Sequence, residues 1–299
     1  VVTEICSKEA YDGLSTGGVR PASVILRVSA DGNAKAENGE TLGTLAEAYD
    51  EIGGMIVPIF RAETDEEAAA LIKFYKEVYR VTDSGVLSAI PALVKHVKDE
   101  IPEIRGLIAF AGTETPAEII KTMGENSAIT AILPEGTGIE IVRYIHARFK
   151  TGWVRSGADG FSAMRAAASG AYGIVTDDCA AAYEALKTFG NYDILRAPFN
   201  AANRGLPKTH NENSVGGIRA AIAAGATHVE LDCYLTADGE VVLMHDADIS
   251  RTTDGEGNIE SMTLAELRTH KLDLFGEEDV PTLSEAIDAF AGSGAIMVL

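Results

Sequence analysis

Glu230 and Asp232 stand two residues apart in the run 228–235, whose alternation reads as one β-strand. Val229, Leu231, Cys233 and Leu235 then face one way, and Glu230, Asp232 and Tyr234 the other. Two carboxylates on one face near the end of a barrel strand are costly to desolvate. A hard divalent cation with oxygen ligands, Mg²⁺ or Ca²⁺, removes that cost. An edge strand whose acidic side chains simply face water has the same pattern. Upstream, Asn203-Arg204-Gly205 follows an apolar segment, and Arg204 offers a planar fork suited to phosphate or carboxylate. Downstream, the apolar run 241–244 ends in His245-Asp246, and imidazole is the side chain that trades a proton near neutral pH. Singly, Arg204 reads as a surface ion pair and His245 as a turn residue. Together with the acidic pair they form a phosphate-and-metal constellation.

Elements must hold these side chains in place, and the chain alternates short β-branched runs with amphipathic stretches, the pattern of βα units around a parallel sheet. Strands are expected at 23–29, 54–60, 78–82, 105–110, 127–133, 151–155 and 172–176, and helices near 43–52, 64–77, 86–99, 116–124, 138–149, 160–169 and 178–189. Thr64 is positioned to cap a helix whose first turn carries Asp65, Glu66 and Glu67 and whose apolar stripe includes Leu71, Ile72 and Phe74. With a first strand at Val1-Val2 and a helix over 6–14, the count is that of an eight-stranded (β/α) barrel ending near residue 190. The alternation then restarts: an apolar segment at 194–202, a helix near 213–224, the strand 228–235, a hairpin arm at 240–245, helices near 263–270 and 282–290, and a terminal strand. Residues 23–32 align without a gap on 230–239, and Thr44–Asp50 matches Thr282–Asp288, the second copy carrying an insertion of about 31 residues.

Composition excludes other classes. The 299 residues carry 25 basic and 45 acidic side chains, a net charge of −20, so binding to nucleic-acid phosphates is disfavoured. Cys6, Cys179 and Cys233 are too few and too dispersed for a disulfide framework or a zinc site and are expected as small buried residues. No apolar run reaches the roughly 20 residues that cross a bilayer. The start at Val1 and the half-finished strand at Leu299 read as a piece of a longer polypeptide, which leaves localisation unknown.

In order along the chain stand Asn203-Arg204-Gly205, Glu212-Asn213-Ser214, Glu230-Leu231-Asp232, Thr236-Ala237-Asp238-Gly239, His245-Asp246 and Arg251-Thr252-Thr253-Asp254-Gly255. This ordered set resembles the glycerophosphodiester phosphodiesterases over about residues 197–299. The resemblance implies a TIM barrel, one divalent cation held by Glu230 and Asp232, phosphate gripped by Arg204, His245 as general acid/base, and Glu212 supporting them. The implied partner is a small-molecule glycerophosphodiester, cleaved to glycerol 3-phosphate and an alcohol. Two departures stand out. Asn203 replaces the first histidine of the family's His-Arg-Gly motif, which costs proton transfer roughly two to four orders of magnitude there; His210 is a substitute seven residues on, or an exposed loop histidine. The family's third metal ligand, a Glu after the third strand, is expected just past Leu299.

Trp153-Val154-Arg155 and Gly170–Asp178 resemble the last two βα units of the same family, so a family ending precedes a family beginning. In this first copy Ser23 and Ile25 stand at the positions of Glu230 and Asp232, leaving a metal without evident ligands, and Arg27, aligned with Tyr234, either fills the barrel mouth or pairs with a carboxylate. The expected architecture is a tandem of TIM (β/α)8 barrels, a degenerate metal-free one over 1–190 and the incomplete N-terminal part of a second over 191–299. A non-catalytic module that binds a phosphodiester or wall polymer is the rival function, and a single permuted barrel the rival fold.

Overall fold

A computed structural model describes residues 1–16, 20–52, 56–77, 83–190, 196 and 198–299. The chain divides into two compact units, Val1–Ala197 and Pro198–Leu299.

The first unit is a closed (β/α)8 barrel. Strands β1 (Val2–Glu4), β2 (Ser23–Val28), β5 (Val57–Arg61), β6 (Gly85–Ser88), β7 (Arg105–Ala109), β8 (Thr130–Leu133), β9 (Thr151–Arg155) and β10 (Gly173–Thr176) pair in parallel in that order, and β10 returns to β1. β3 (Asn33–Lys35) and β4 (Thr41–Thr44) are antiparallel additions after β2. Helices α1 (Lys8–Thr16), α2 (Leu45–Ile52), α3 (Asp65–Glu77), α4 (Pro91–Glu100), α5 (Pro116–Glu125), α6 (Ile139–Ala147), α7 (Gly160–Ala168) and α8 (Cys179–Leu186) each follow a barrel strand and form the outer ring. In α3 the Thr64 hydroxyl accepts from the Glu67 amide, and Leu71, Ile72 and Phe74 are buried against the barrel. The interior is filled by one apolar side chain from each of the eight strands, running from Val2 on β1 to Val175 on β10, with Ile25, Ile59 and Trp153 among them. It is a packed layer and not a pore.

One expected strand, 78–82, lies outside the described residues. The barrel strand is Gly85–Ser88, placed by the sequence reading at the start of a helix over 86–99. All its residues are buried, as a strand covered on both faces must be, and the helix waits for Pro91, whose fixed φ suits a first helical turn.

The second unit has a three-stranded parallel sheet ordered β11 (Ala201–Asn203), β12 (His228–Glu230) and β17 (Ile296–Val298). Helix α9 (Val215–Ala223) joins the first pair, and α11 (Leu283–Phe290) precedes the last strand. Between β12 and α11 lie the hairpin β13 (Cys233–Leu235)–β14 (Val241–Leu243), the short helix α10 (Leu264–Leu267) and the ribbon β15 (Lys271–Leu272)–β16 (Glu278–Asp279). The single strand expected over 228–235 is thus two strands in two sheets. Alternation holds through Leu231 and then changes phase: Val229 and Leu231 are buried, but Cys233 and Leu235 are exposed while Tyr234 packs against the apolar cluster that includes Val242 and Met244. Leu231 still bonds to β17 through its amide, whereas the Asp232 amide donates to the Asn213 side chain, and the chain leaves the sheet there. The cysteines are likewise not core residues: Cys6 and Cys233 are exposed and Cys179 half-buried.

The aligned segments of the two units share their hydrogen bonding. Val28 pairs with Ala34 and Arg27 with Lys35, as Leu235 pairs with Val241 and Tyr234 with Val242. In the turns, the Ser29 and Thr236 hydroxyls donate to Asp31 and Asp238, and Gly32 and Gly239 take φ of 81° and 88°. Glu47 and Glu285 each accept from the amide of the threonine three residues before, closing the same box at a helix start.

Candidate active site

The carboxyl ends of β11 and β12 bring the sequence-selected residues together. Asn203 and Glu230 are register partners on these strands. At Arg204 and Gly205 the backbone turns left-handed, with φ of 56° and 84°. A Cβ on Gly205 would stand 2.8 Å from the Gly217 carbonyl carbon at the start of α9. Close approach and positive φ both require glycine there. Gly205→Ala should destabilise this unit by about 2 kcal/mol, from left-handed strain plus backbone overpacking, read as a shift in its urea or thermal unfolding transition.

Arg204 is held from three sides. Its amide donates to the Glu230 carbonyl at 2.9 Å and lies 3.3 Å from Glu230 Oε2. Its Nε is 3.3 Å from Asp232 Oδ2, and its Nη1 donates to Glu212 Oε1 at 3.3 Å. Buried Asn213 pins Asp232 twice, donating to Oδ2 and accepting the Asp232 amide, both at 3.1 Å. Glu230 and Asp232 therefore address one side, as the alternation implies up to that point.

From Glu212 the charges continue outward. Arg251 donates Nη2 and Nη1 to Glu212 Oε1 and Oε2 at 2.6 and 3.0 Å, and its Nε to Asp246. Asp246 Oδ1 lies 2.6 Å from His245 Nδ1. A proton on Nδ1 donated to this carboxylate leaves Nε2 as the basic nitrogen. The result is an alternating chain, Asp232–Arg204–Glu212–Arg251–Asp246–His245. The Glu212 side chain is only 11% exposed, and hydrogen bonding from Arg251 outweighs burial to hold its carboxyl below the usual range. Arg251 and then His245 do the same for Asp246, and these carboxylates push the Arg251 guanidinium upward.

A carboxyl lowered in the folded state contributes stability that is present above its unfolded pKa, about 4.3, and lost as pH falls through the folded value. Glu212→Gln should therefore cost about 1–2 kcal/mol at pH 7, and the gap in melting temperature from the parent should narrow as pH falls below the ordinary carboxylate range. Parallel melts across pH 3–7 measure this. A gap independent of pH would mean that Glu212 acts by packing alone.

Asn203 is exposed and its side chain makes no hydrogen bond among the described residues. His210 bonds through its ring to the neighbouring Thr209 hydroxyl and does not join the chain of charges. Arg251 and Asn213 were visible in the sequence only as members of motifs; nothing local marks them as the links between Glu212 and Asp246 and between the two strand ends. The oxygen-only donors Glu230 and Asp232 suit a hard divalent cation. Among the described residues, no three or more His, Cys, Asp or Glu side chains converge as a preformed metal cluster. No described helix is long and apolar enough to cross a membrane.

Residues 204–297 match the family model described as the glycerophosphoryl diester phosphodiesterase family. Glycerophosphodiester phosphodiesterase 1 of Mus musculus is 43% identical over 93 residues, 29% of this chain and 28% of the mouse protein. A glycerophosphodiester phosphodiesterase of Caldanaerobacter subterraneus is 42% identical over 94 residues, 29% of this chain and 38% of that protein. The chain thus spans well under half the length of these relatives. In fold, the chain is similar to the crystal structure of a glycerophosphodiester phosphodiesterase from Parabacteroides distasonis, with a TM-score of 0.50 at 14% identity, over 62% of this chain and 96% of that one.

Proposed function

We propose, since residues 204–297 match the glycerophosphoryl diester phosphodiesterase family model, that the second unit is the opening part of a second barrel that hydrolyses glycerophosphodiesters to glycerol 3-phosphate and an alcohol. The observation that carries this reading is Arg204. One guanidinium touches Asp232 on one side and, through Glu212, Arg251 and Asp246, is tied to His245 on the other. A phosphate-binding fork, a carboxylate pair and an imidazole thus form one connected assembly. In this reaction Arg204 binds and orients the phosphoryl oxygens. His245, oriented by Asp246, moves a proton through Nε2 as general acid/base. Asn203 hydrogen-bonds a substrate oxygen without transferring a proton. A divalent cation, Mg²⁺ or Ca²⁺, held by Glu230 and Asp232 would supply Lewis-acid stabilisation of developing charge.

Asn203 also favours a second reading, a module that keeps Arg204 and the acidic pair to bind a phosphodiester or wall polymer without turnover. Release of glycerol 3-phosphate from glycerophosphodiesters, by the protein containing this chain with Mg²⁺ or Ca²⁺ supplied, separates the two. Asn203→His is expected to raise the rate at least about tenfold without improving substrate affinity, because the change acts on proton transfer in the transition state. Absence of turnover in both proteins, with phosphodiester binding intact, would establish the module.

A further inference from the structure

The mouth of the first barrel carries charge of its own. Two residues beyond the apolar layer, on the same face, Val2 is followed by Glu4, Ile25 by Arg27, Ile59 by Arg61 and Trp153 by Arg155. These are the carboxyl ends of the strands, the end where barrels of this kind bind ligands. Strand register sharpens the picture. Arg27 on β2 pairs laterally with Lys35 on β3 and with Arg61 on β5, so three cations stand side by side on one face of three adjacent strands. Like charges in such pairs repel.

Arg61 is compensated: Glu63 accepts from its Nε at 2.7 Å, and Glu37 and Glu4 lie 3.5 and 3.8 Å from its Nη1. Arg155 shares Glu4. Half-buried Arg27 and Lys35 make no hydrogen bond and no ion pair among the described residues. The carboxylate whose field Lys35 reaches, Asp31, is held within its own turn by Ser29 and Asn33. On the same rim the Ser156 hydroxyl, a potential donor, is buried without a hydrogen-bond partner among the described residues. The position equivalent to Arg27 in the second unit is Tyr234, packed into an apolar cluster, so this row is particular to the first barrel.

We propose that the mouth of the first barrel is a separate binding site for a compact phosphate-type dianion, gripped by Arg27 and Lys35 beside Arg61. A row of cations that is repulsive alone becomes favourable when a dianion bridges it, and the guanidinium fork matches phosphate oxygens two at a time.

Trp153, the single tryptophan of the chain, lies two residues below Arg155 and reports on the mouth by fluorescence. The test uses the whole chain carrying Arg204→Gln, which silences the second unit, titrated with inorganic phosphate against chloride at matched ionic strength. Calorimetry and Trp153 fluorescence should show saturable phosphate binding, and phosphate should raise the melting temperature. Arg27→Gln and Lys35→Gln, each added to that background, should weaken binding at least about tenfold and abolish the thermal shift. Without phosphate both variants should melt at or above the parent temperature, since each relieves repulsion and breaks no partner contact, and this separates lost binding from lost folding. Phosphate acting no better than chloride, or binding unchanged in both variants, would overturn the proposal.

Discussion

In the proposed glycerophosphodiester hydrolysis, His245→Ala is expected to lower kcat by roughly two to four orders of magnitude with KM little changed, the range that a positioned proton-transfer group supplies. The geometry supports assigning the effect to proton transfer. His245 is 39% exposed at its side chain, and among the described residues its ring is hydrogen-bonded only through Nδ1 to Asp246. Truncating it removes no core contact, while Arg251 still bridges Glu212 and Asp246. The melting temperature should accordingly stay within a few degrees of the parent. Asp246→Asn is the companion variant: the amide keeps the shape but can offer its NH₂ to Nδ1, favouring the other tautomer and placing the proton on Nε2. That change should shift the basic limb of the kcat profile as well as its height, which a loss of packing would not do. A fall of less than about fivefold in His245→Ala, at saturating metal, would mean that another group moves the proton.

Glu212 and Arg251 show where sequence reasoning reaches its limit. Both belong to motifs that are legible in order, yet their bidentate contact joins residues 39 apart, and spacing supplies residue types without partners. The run 228–235 shows a different limit. Val-Glu-Leu-Asp-Cys-Tyr-Leu keeps a period of two throughout, so nothing in the pattern marks the break at Asp232. The break is made by tertiary structure, because β17 accompanies only β12 and a new antiparallel partner, β14, takes over at Cys233. The barrel strand at Gly85–Ser88 was hidden because four buried residues before a helix read as the helix's own first turn, and only Pro91 signals the boundary. By contrast, the gapless match of 23–32 to 230–239 was fully legible, since hairpin register and the hydroxyl-x-Asp-Gly turn are local chemistry. The placement of Glu230 and Asp232 on one side survived the strand break for the same local reason: the break falls after Leu231, whose burial fixes its two neighbours outward.

Neutralising that acidic pair should have the other large effect. Glu230→Gln with Asp232→Asn is expected to eliminate the proposed divalent-cation binding and reduce the proposed hydrolysis roughly a thousandfold, as loss of a site's main charge stabilisation does. The amides preserve volume, and Asn213 can still bond to an amide at 232, so local shape is retained. What disappears is the negative charge that opposes Arg204 and would attract the cation. Two readouts distinguish this from simple damage. In the parent protein, Mg²⁺ or Ca²⁺ at a hundredfold excess over Kd should add about 2.7 kcal/mol of stability, visible as a rise in melting temperature that the double variant lacks. Calorimetric titration of the cation, with no substrate present, should give saturable heat in the parent and none in the variant. In Ser23→Glu with Ile25→Asp, which installs the same residue types at the aligned positions of the first barrel, binding should not appear there. Ile25 belongs to the apolar interior layer, and a carboxylate in its place would be buried among hydrocarbon side chains without a guanidinium partner. Cation binding that survives in the Glu230→Gln, Asp232→Asn protein would place the metal elsewhere and remove the Lewis acid from the Arg204 assembly.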